Sequence, residues 1–491
     1  MATEIELKLT LSSKEARALP EHPLIAGQPA KRRRLLNTYY DTPDLLLKKK
    51  RVALRFRKIG WQWLLTVKSA EPASGGLAMR SEWEYPAVPG IFDFAPVDAP
   101  ELRAELEAAA PSLVPVFTTD FQRTAWTVAY GASSIEIALD KGRAASQGRQ
   151  APLCEVELEL VSGEVADLFA LTRELQTQFH LHPSVASKAE RGYRLFADEP
   201  AAPFKAKPLP VSAEMTPVEA FRTIALGCLE HLQRNEAGVA HGGHPEFVHQ
   251  ARVALRRMRS AMRLFAPVLP GAFVDAYGQA WRTLASGLGN ARNWDVFVEE
   301  TLPPILAAFP DDRSARRLER EGRRRARSAH AAVAAMVVLP EYSRLLVEFT
   351  AALLALPDNP GSTVPEFARD RLRSHARKTR KLAARHRSLD AAERHRMRIR
   401  FKRLRYALEF FAPLLPKQRL SPYLAALTQL QGELGLINDH VTAESLIAEA
   451  LGGRTSGPVQ GWLAGRHALL LAELPDSLDI WLTQKAPWKD L

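Results

Sequence analysis

The chain has 491 residues, 46% hydrophobic and 25% charged, with only two cysteines, Cys154 and Cys228. It has no run near the ~20 apolar residues of a membrane span and no basic stretch leading into an apolar leader, so a membrane protein, a secreted chain and a disulfide scaffold are all disfavoured and a cytoplasmic location is expected. The formal charge of +12 is unevenly spread: residues 1–200 hold 25 Lys+Arg and 26 Asp+Glu, a net of −1, which leaves 67 − 25 = 42 basic and 55 − 26 = 29 acidic residues, a net of +13, for 201–491.

In chain order, period-2 alternation predicts strands over 3–9, 32–40, 52–58, 62–68, 79–85, 122–128, 133–139 and 153–160. Helices are predicted over roughly 99–110 and 164–179. Eight strands with few helices imply an antiparallel barrel or sandwich. Residues 198–217, DEPAAPFKAKPLPVSAEMTP, hold five prolines and read as an extended linker. Beyond it the period changes to 3.6. Segments rich in Ala, Leu and Arg, broken by APVLPG, LPPI, LPDNPG and APLLPK, predict an all-α domain. HQARVALRRMRSAMRLFAPVLP (249–270) matches HRMRIRFKRLRYALEFFAPLLP (395–416) at an offset of 146, with ten of 22 positions identical. The same offset lays LGNARN (288–293) on LGLIND (434–439). Two separated matches at one offset predict a duplicated helical unit with pseudo-twofold symmetry. The expected organisation is multidomain α+β: an N-terminal eight-stranded antiparallel tunnel with flanking helices over 1–200, a linker over 201–214, and a duplicated helical bundle over 215–491.

The first strand, TEIELKL, alternates Glu4, Glu6 and Lys8 with Ile5, Leu7 and Leu9. One face is charged and the other apolar. The later strands repeat this division. Arg55 and Arg57 share a face, Lys68 ends another strand, and Arg80, Glu82 and Glu84 lie together. Glu136 and Asp140 share a face, as do Glu155, Glu157 and Glu159, and Arg123 sits in FQRTAW. Such faces are costly unless they pair or meet water and ligand. One account is the solvated outer face of an antiparallel sheet. The other is a closed sheet whose charged faces line a lumen. A lumen of both signs suits phosphate chains, because Arg and Lys bind phosphate oxygens while carboxylates hold Mg²⁺ or Mn²⁺.

In the helical part, His249, Arg252, Arg256, Arg259 and Arg263 are spaced 3, 4, 3 and 4, one stripe of a helix. His395, Arg398, Lys402 and Arg405 repeat it, and Arg373, Arg377, Arg380 and Lys381 add another basic face. A solvated face is the ordinary fate of a charge run. Its recurrence in both repeats points instead to a polyanion. Base stacking in nucleic-acid binding calls for interleaved aromatics, and these stripes have almost none, so nucleic acid is disfavoured and a phosphate polymer preferred.

Two family resemblances rest on these residues. EIELK is similar to the ExExK signature of the CYTH, or triphosphate tunnel metalloenzyme, superfamily. The likeness continues through YYDTPD, LRFR, TVK, TDFQR, IEIALDKG, ELEL and SKAERGYRL, in order over 1–200. It is closest to bacterial inorganic triphosphatases with a second, helical domain. The resemblance implies an eight-stranded tunnel that hydrolyses triphosphates with a divalent cation. By it, Glu4, Glu6, Glu155, Glu157 and Asp140 would bind metal. Lys8, Arg55, Arg57, Lys68, Arg80, Arg123 and Lys188 would hold phosphates, and Glu4, Glu6, Lys8 and Lys188 would be catalytic. Lys188 has an alternative as a surface lysine on a closing turn, and Arg32 and Arg34 of KRRR could be phosphate ligands or an exposed basic run. The repeat motifs HxxRxxxxRxR, LGxxRNxD and LGxxND resemble the CHAD domain, which is linked to inorganic polyphosphate. By that likeness His249, Arg252, Arg256, Arg259, Arg377, His395, Arg398, Lys402 and Arg405 would bind the polymer. Asn293 departs from it, standing where the second repeat has Asp439.

The expected function is therefore Mg²⁺- or Mn²⁺-dependent hydrolysis of inorganic triphosphate, with polyphosphate as a second partner and association with polyphosphate granules. The rivals are a non-catalytic polyphosphate-granule adaptor, and an enzyme hydrolysing or cyclising nucleotide or thiamine triphosphates.

Overall fold

The computed structural model describes residues 2–70, 75–358, 361–452 and 457–489, without the side chains of residues 2–4, 70, 79 and 80. The chain divides into two compact units. One holds 1–202 and 338–355, and the other holds 203–337 and 356–491.

The first unit is built on β1 (Ala2–Thr10), β2 (Lys31–Asp41), β3 (Val52–Ile59), β4 (Gln62–Ala70), β5 (Leu77–Pro86), β6 (Val114–Tyr130), β7 (Ser133–Ser146), β8 (Arg149–Ser162) and the two-residue β9 (His182–Pro183). Their order in the sheet is β5-β4-β3-β2-β6-β7-β8-β1-β9, and β1 also pairs with β5. That extra pairing, Ala2↔Glu82 through Leu7↔Leu77, closes eight antiparallel strands into a ring. The closure selects between the two accounts of the charged faces. Apolar residues of one parity face outward into cores beneath covering segments. Leu7, Leu9, Ile135, Ile137, Val156 and Leu158 pack with Leu168, Phe169 and Leu175 of the helix Val165–Leu175. Leu54, Phe56, Leu65, Val67 and Trp83 pack with Phe94, Val97 and Leu106. The charged residues of the other parity are left to the interior.

Two features depart from the sequence expectation. β6 begins at Val114, not near 122, because its first half has buried residues on successive positions, Val116 and Phe117, which hides the alternation. And the helix Pro340–Leu354, read from sequence as part of the helical domain, belongs to the first unit. Its Val347, fully buried, joins the core beside Leu168 and Phe169, with Ala351 and Leu354 packed against it.

The second unit is helical. The proline-rich segment is extended but not free: Asn235 donates to the Phe204 carbonyl at 2.9 Å and accepts from the Phe204 amide at 3.0 Å, and Val211 is buried. The helix Pro217–Ala240 then starts on a capping box formed by Thr216 and Glu219. Two basic helices follow at Glu246–Phe265 and Ala391–Phe410. Each leads into a short 3-10 turn, Ala266–Val268 and Ala412–Leu414, and then a long helix beginning at Gly271 or Lys417. Turns and long-helix starts lie 146 residues apart. Among the described residues, no helix is long and apolar enough to cross a membrane.

Candidate functional site

The lumen of the closed sheet is a cavity of about 650 Å³ lined by residues from seven strands and by Ser187, Lys188 and Ala189. Cations and carboxylates alternate around it. Lys8 Nζ lies 3.1 Å from Glu6 and 3.5 Å from Glu157. Arg57 donates to Asn37 at 3.0 Å and to Glu84 at 2.9 Å, and Lys68 meets Glu82 at 2.8 Å. Arg55 donates to the Tyr39 hydroxyl at 3.1 Å and stands 3.7 Å from Glu82. Its Nε and Nη2 are buried without a hydrogen-bond acceptor. Buried guanidinium donors are costly to leave unsatisfied, so Arg55 is poised for an anion. Burial and then the neighbouring Arg55 draw the Arg57 pKa down to about 10, which marks a lumen rich in positive charge on that wall.

The opposite wall is an ion-pair cluster. Arg123 grips Asp140 in bidentate fashion at 2.8 and 2.7 Å and also reaches Glu157. Lys188 Nζ sits among Asp140 at 2.7 Å, Glu157 at 2.8 Å and Glu155. Arg191 holds Glu155 at 3.1 Å. Burial would raise the Glu157 pKa, but Lys188, Lys8 and Arg123 hold it well below the ordinary carboxylate range. Lys188 is raised despite its burial, through Asp140, Glu155 and Glu157. It is therefore no surface lysine. It opens the helix Lys188–Ala197, capped by Ser187, and that helix lies close against β6, because a Cβ at Gly192 would stand 2.1 Å from the Phe117 ring. Asp41 of the YYDTPD segment has a scaffold role: it accepts from the Leu47 and Lys48 amides and from the Tyr193 hydroxyl of the same helix.

The register sorts the predicted residues. Thr10 stands opposite Glu155, Lys8 opposite Glu157 and Glu6 opposite Glu159. Glu6, Lys8, Arg55, Arg57, Lys68, Arg123, Glu157 and Lys188 all line the lumen. Glu155 and Asp140 join them through Lys188, whereas Glu136 stands opposite Glu159 on β8. Glu4 and Arg80 lie outside the described side chains, although their backbones pair with each other. Arg34 is on the outer side of β2, largely exposed and paired with Asp120 at 2.7 Å, and Arg32 shares its parity, opposite to Asn37 and Tyr39. Glu159, the residue facing Glu6, shares a strand face with Glu155 and Glu157, and its spacing alone does not mark it as a ligand. Only the register reveals the pairing.

A divalent cation wants hard oxygen donors. Asp140, Glu155 and Glu157 bring carboxylate oxygens within 4.8 Å of one another, with Lys188 in their midst as the resident cation. The Glu6–Glu159 seam offers a second pair of facing carboxylates. The donor chemistry of this lumen thus fits a hard divalent ion.

In the second unit the two basic helices bring His249, Arg252, Arg256, Arg398 and Lys402 together. Burial first, then Arg256 and Arg398, lower Arg252 to about 10. Burial, then Arg256, Arg398 and Arg252, lower Lys402 to about 6. His249 Nδ1, Arg256 Nε and Arg398 Nε are buried without partners. Arg398 donates to Asn438 at 3.1 Å, and Asp439 opposes the depression of Arg252, Arg398 and Lys402. Arg292, at the first-repeat position matching Asn438, adds to the positive field on His249 and Arg252. Arg405 is tied up with Glu409 at 2.6 Å. Arg259 is half-buried near Arg282, and Arg377 and His395 are exposed. On the Val364–Ala383 helix, His375 approaches Arg403 and Arg400 of the second basic helix, with Arg371 one turn before it. Burial, then Arg371 and Arg403, take His375 down to about 4. Arg373, Arg377, Arg380 and Lys381 lie toward the opposite side of that helix from His375.

Comparison with known proteins agrees with this division. Residues 2–193 match the model of the CYTH domain, and residues 223–448 that of the CHAD domain. An inorganic triphosphatase of Haemophilus influenzae is 37% identical over 200 residues, which cover 40% of this chain. The match spans about half, 55%, of that relative's length. The crystal structure of the CHAD domain from the plant Ricinus communis superposes with a TM-score of 0.52 at 35% identity, covering 59% of this chain and 99% of that one.

Proposed function

This chain belongs to the CHAD domain family and carries a CYTH domain ahead of the CHAD domain, and from that pairing we propose that it hydrolyses inorganic triphosphate in the tunnel and binds inorganic polyphosphate along the basic helices. The observation that carries the first half is the closed lumen with cations and carboxylates interleaved on its walls. Arg55, Arg57, Lys68 and Lys8 take the phosphate oxygens, exchanging their carboxylate partners for the substrate. Glu6 and Glu159, with Glu4 on the same strand, would hold Mg²⁺ or Mn²⁺. That ion would supply charge neutralisation of the phosphates and a lowered pKa for water. Lys188 and Arg123 fix Asp140, Glu155 and Glu157 in place. Glu157, held far below neutrality, acts as an electrostatic group rather than a proton carrier. The oxygen of water bonds to a terminal phosphorus, the bridging P–O bond opposite breaks, and diphosphate leaves.

The second half rests on cations that make no ion pair within 4 Å among the described residues. Lys402 at about 6 and Arg252 at about 10 are groups that a polyanion would restore to full charge.

Phosphate release from inorganic triphosphate, ATP and thiamine triphosphate, with and without Mg²⁺ or Mn²⁺, tests the enzyme. Inorganic triphosphate is expected to give the highest kcat/KM, and only with metal. Equal use of ATP would favour a nucleotide substrate. Tight retention of triphosphate without release would favour the binding-protein reading.

A further inference from the structure

Next to the basic groove of the second unit is a cavity of about 620 Å³ of a different character. It is walled by the long helix Lys417–Leu451, the helix Gly457–Thr483 and a π-helical turn, Phe297–Thr301. Leu436, Leu469 and Leu470 supply apolar surface, with Leu436 and Leu469 substantially exposed. Trp462 and His440 stand side by side in it, ring centroids 6.0 Å apart and planes inclined by 30°. His440 Nδ1 is buried and has no hydrogen-bond partner. A single π turn inside a helix often marks a functional position, and here it brings Glu300 to the cavity rim.

Two carboxylates join this cavity to the groove. Glu300 pairs with Arg292 at 3.0 Å, and Arg292 acts on His249 and Arg252. Asp439 lines the cavity and acts on Arg252, Arg398 and Lys402. From the apolar end to the basic end, the order is therefore aromatic rings, carboxylates, then guanidinium groups. A featureless phosphate chain has use only for the last of these.

We propose that cavity and groove together bind a nucleoside polyphosphate. The base stacks against Trp462, with His440 Nδ1 available to its edge. Asp439 and Glu300 accept from the ribose hydroxyls. Arg292, Arg252 and Arg398 take the phosphates. This rests on the reading of the groove as a phosphate-chain site and adds the group at its end.

The test uses the full chain in EDTA, which prevents turnover in the tunnel. An azido-substituted ATP is photocrosslinked at rising concentration, and labelled peptides are mapped by mass spectrometry, with and without long-chain inorganic polyphosphate. Label is expected on peptides holding His440 or Trp462, and polyphosphate should chase it by occupying the shared phosphate subsite. Trp462→Ala should raise the concentration for half-labelling there about 5- to 150-fold, the range of one lost base–aromatic stack. Leu469→Glu, at an exposed position, should do likewise by charging the apolar wall. Both variants should keep the affinity for polyphosphate. Label confined to tunnel peptides, with polyphosphate still bound, would overturn the nucleoside site and spare the groove. Cavity label that polyphosphate cannot chase would also overturn it. Absence of polyphosphate binding to the unaltered protein would instead remove the groove reading beneath it.

Discussion

The tunnel and the groove both gather arginine and lysine, and they differ in the carboxylates each sets beside them. In the tunnel the cations have carboxylates at hand: Lys8 with Glu6, Arg57 with Glu84, Lys68 with Glu82, Arg123 and Lys188 with Asp140. Arg123 and Lys188 are accordingly raised and Glu157 lowered, while burial and the neighbouring Arg55 still draw Arg57 down to about 10. In the groove, burial first and then neighbouring cations lower Arg252, Arg398 and Lys402, with Asp439 as the carboxylate acting against it. The first arrangement is a neutralised framework that exchanges partners when substrate enters. The second is an incomplete one whose missing charge arrives with the ligand.

The largest effect that would expose this contrast is on stability. Arg123→Ala should remove the bidentate partner of Asp140, fully buried, and leave Lys188 as the cation shared by Asp140 and Glu157, at a cost of up to about 3–5 kcal/mol, the range for a broken buried pair. Lys402→Met removes a crowded cation of similar length and should leave stability unchanged or improved. Chemical denaturation followed by hydrogen exchange, which reports on the two units separately, would read both. Equal losses in the two variants would break the comparison.

Activity should divide next. Glu6→Gln should lower triphosphate turnover by at least about 10–100-fold, the scale seen when even an outer partner of a metal ligand is lost. Polyphosphate binding, read by titration calorimetry, should not change. Arg398→Gln should do the reverse. A variant that loses both functions would mean that the sites are not separate.

The smallest effect concerns protons. Lys402 has its pKa lowered to about 6, and a bound polyanion must raise it. Below pH 6 the lysine is charged with or without ligand, so affinity is greatest there. As pH climbs above 6 the free protein loses the proton that the complex retains, and affinity falls by up to about tenfold per unit until the bound pKa is passed. Calorimetry at pH 7.5 in buffers of different ionisation enthalpy should show proton uptake on polyphosphate binding. Lys402→Met should abolish that component. No such uptake is expected for triphosphate entering the tunnel of a metal-free protein through Lys188, which is charged throughout.

Strand alternation made much of the tunnel legible. The parity of Glu6 and Lys8, or of Arg55 and Arg57, is a local property, and closure of the sheet turned each charged parity inward. What alternation does not carry is register. Glu159 became a metal candidate only once Glu6 was seen opposite it. The helix Lys188–Ala197 was visible as a motif but not as an element, because its ten residues give less than three full turns of pattern. In the helical unit the basic stripe of Glu246–Phe265 could be read from spacing. Which face of Val364–Ala383 turned inward could not, since Arg371, Arg373 and Arg377 are chemically alike and only packing distinguishes them. The aromatic cavity combines residues more than 150 positions apart, Glu300 and Trp462 among them, and has no local signature.

The helix Pro340–Leu354 has a consequence for how this protein is born. Its Val347 belongs to the core of the first unit, yet it is synthesised after most of the first half of the second. At 5–20 residues per second, the ribosome takes about 8–30 s to travel from residue 202 to residue 355. Over that interval the nascent tunnel must wait with an apolar site beside Leu168 and Phe169 uncovered. Neither unit is a contiguous stretch of message, so a nascent chain halted anywhere between the two points is a client for chaperones rather than a finished domain.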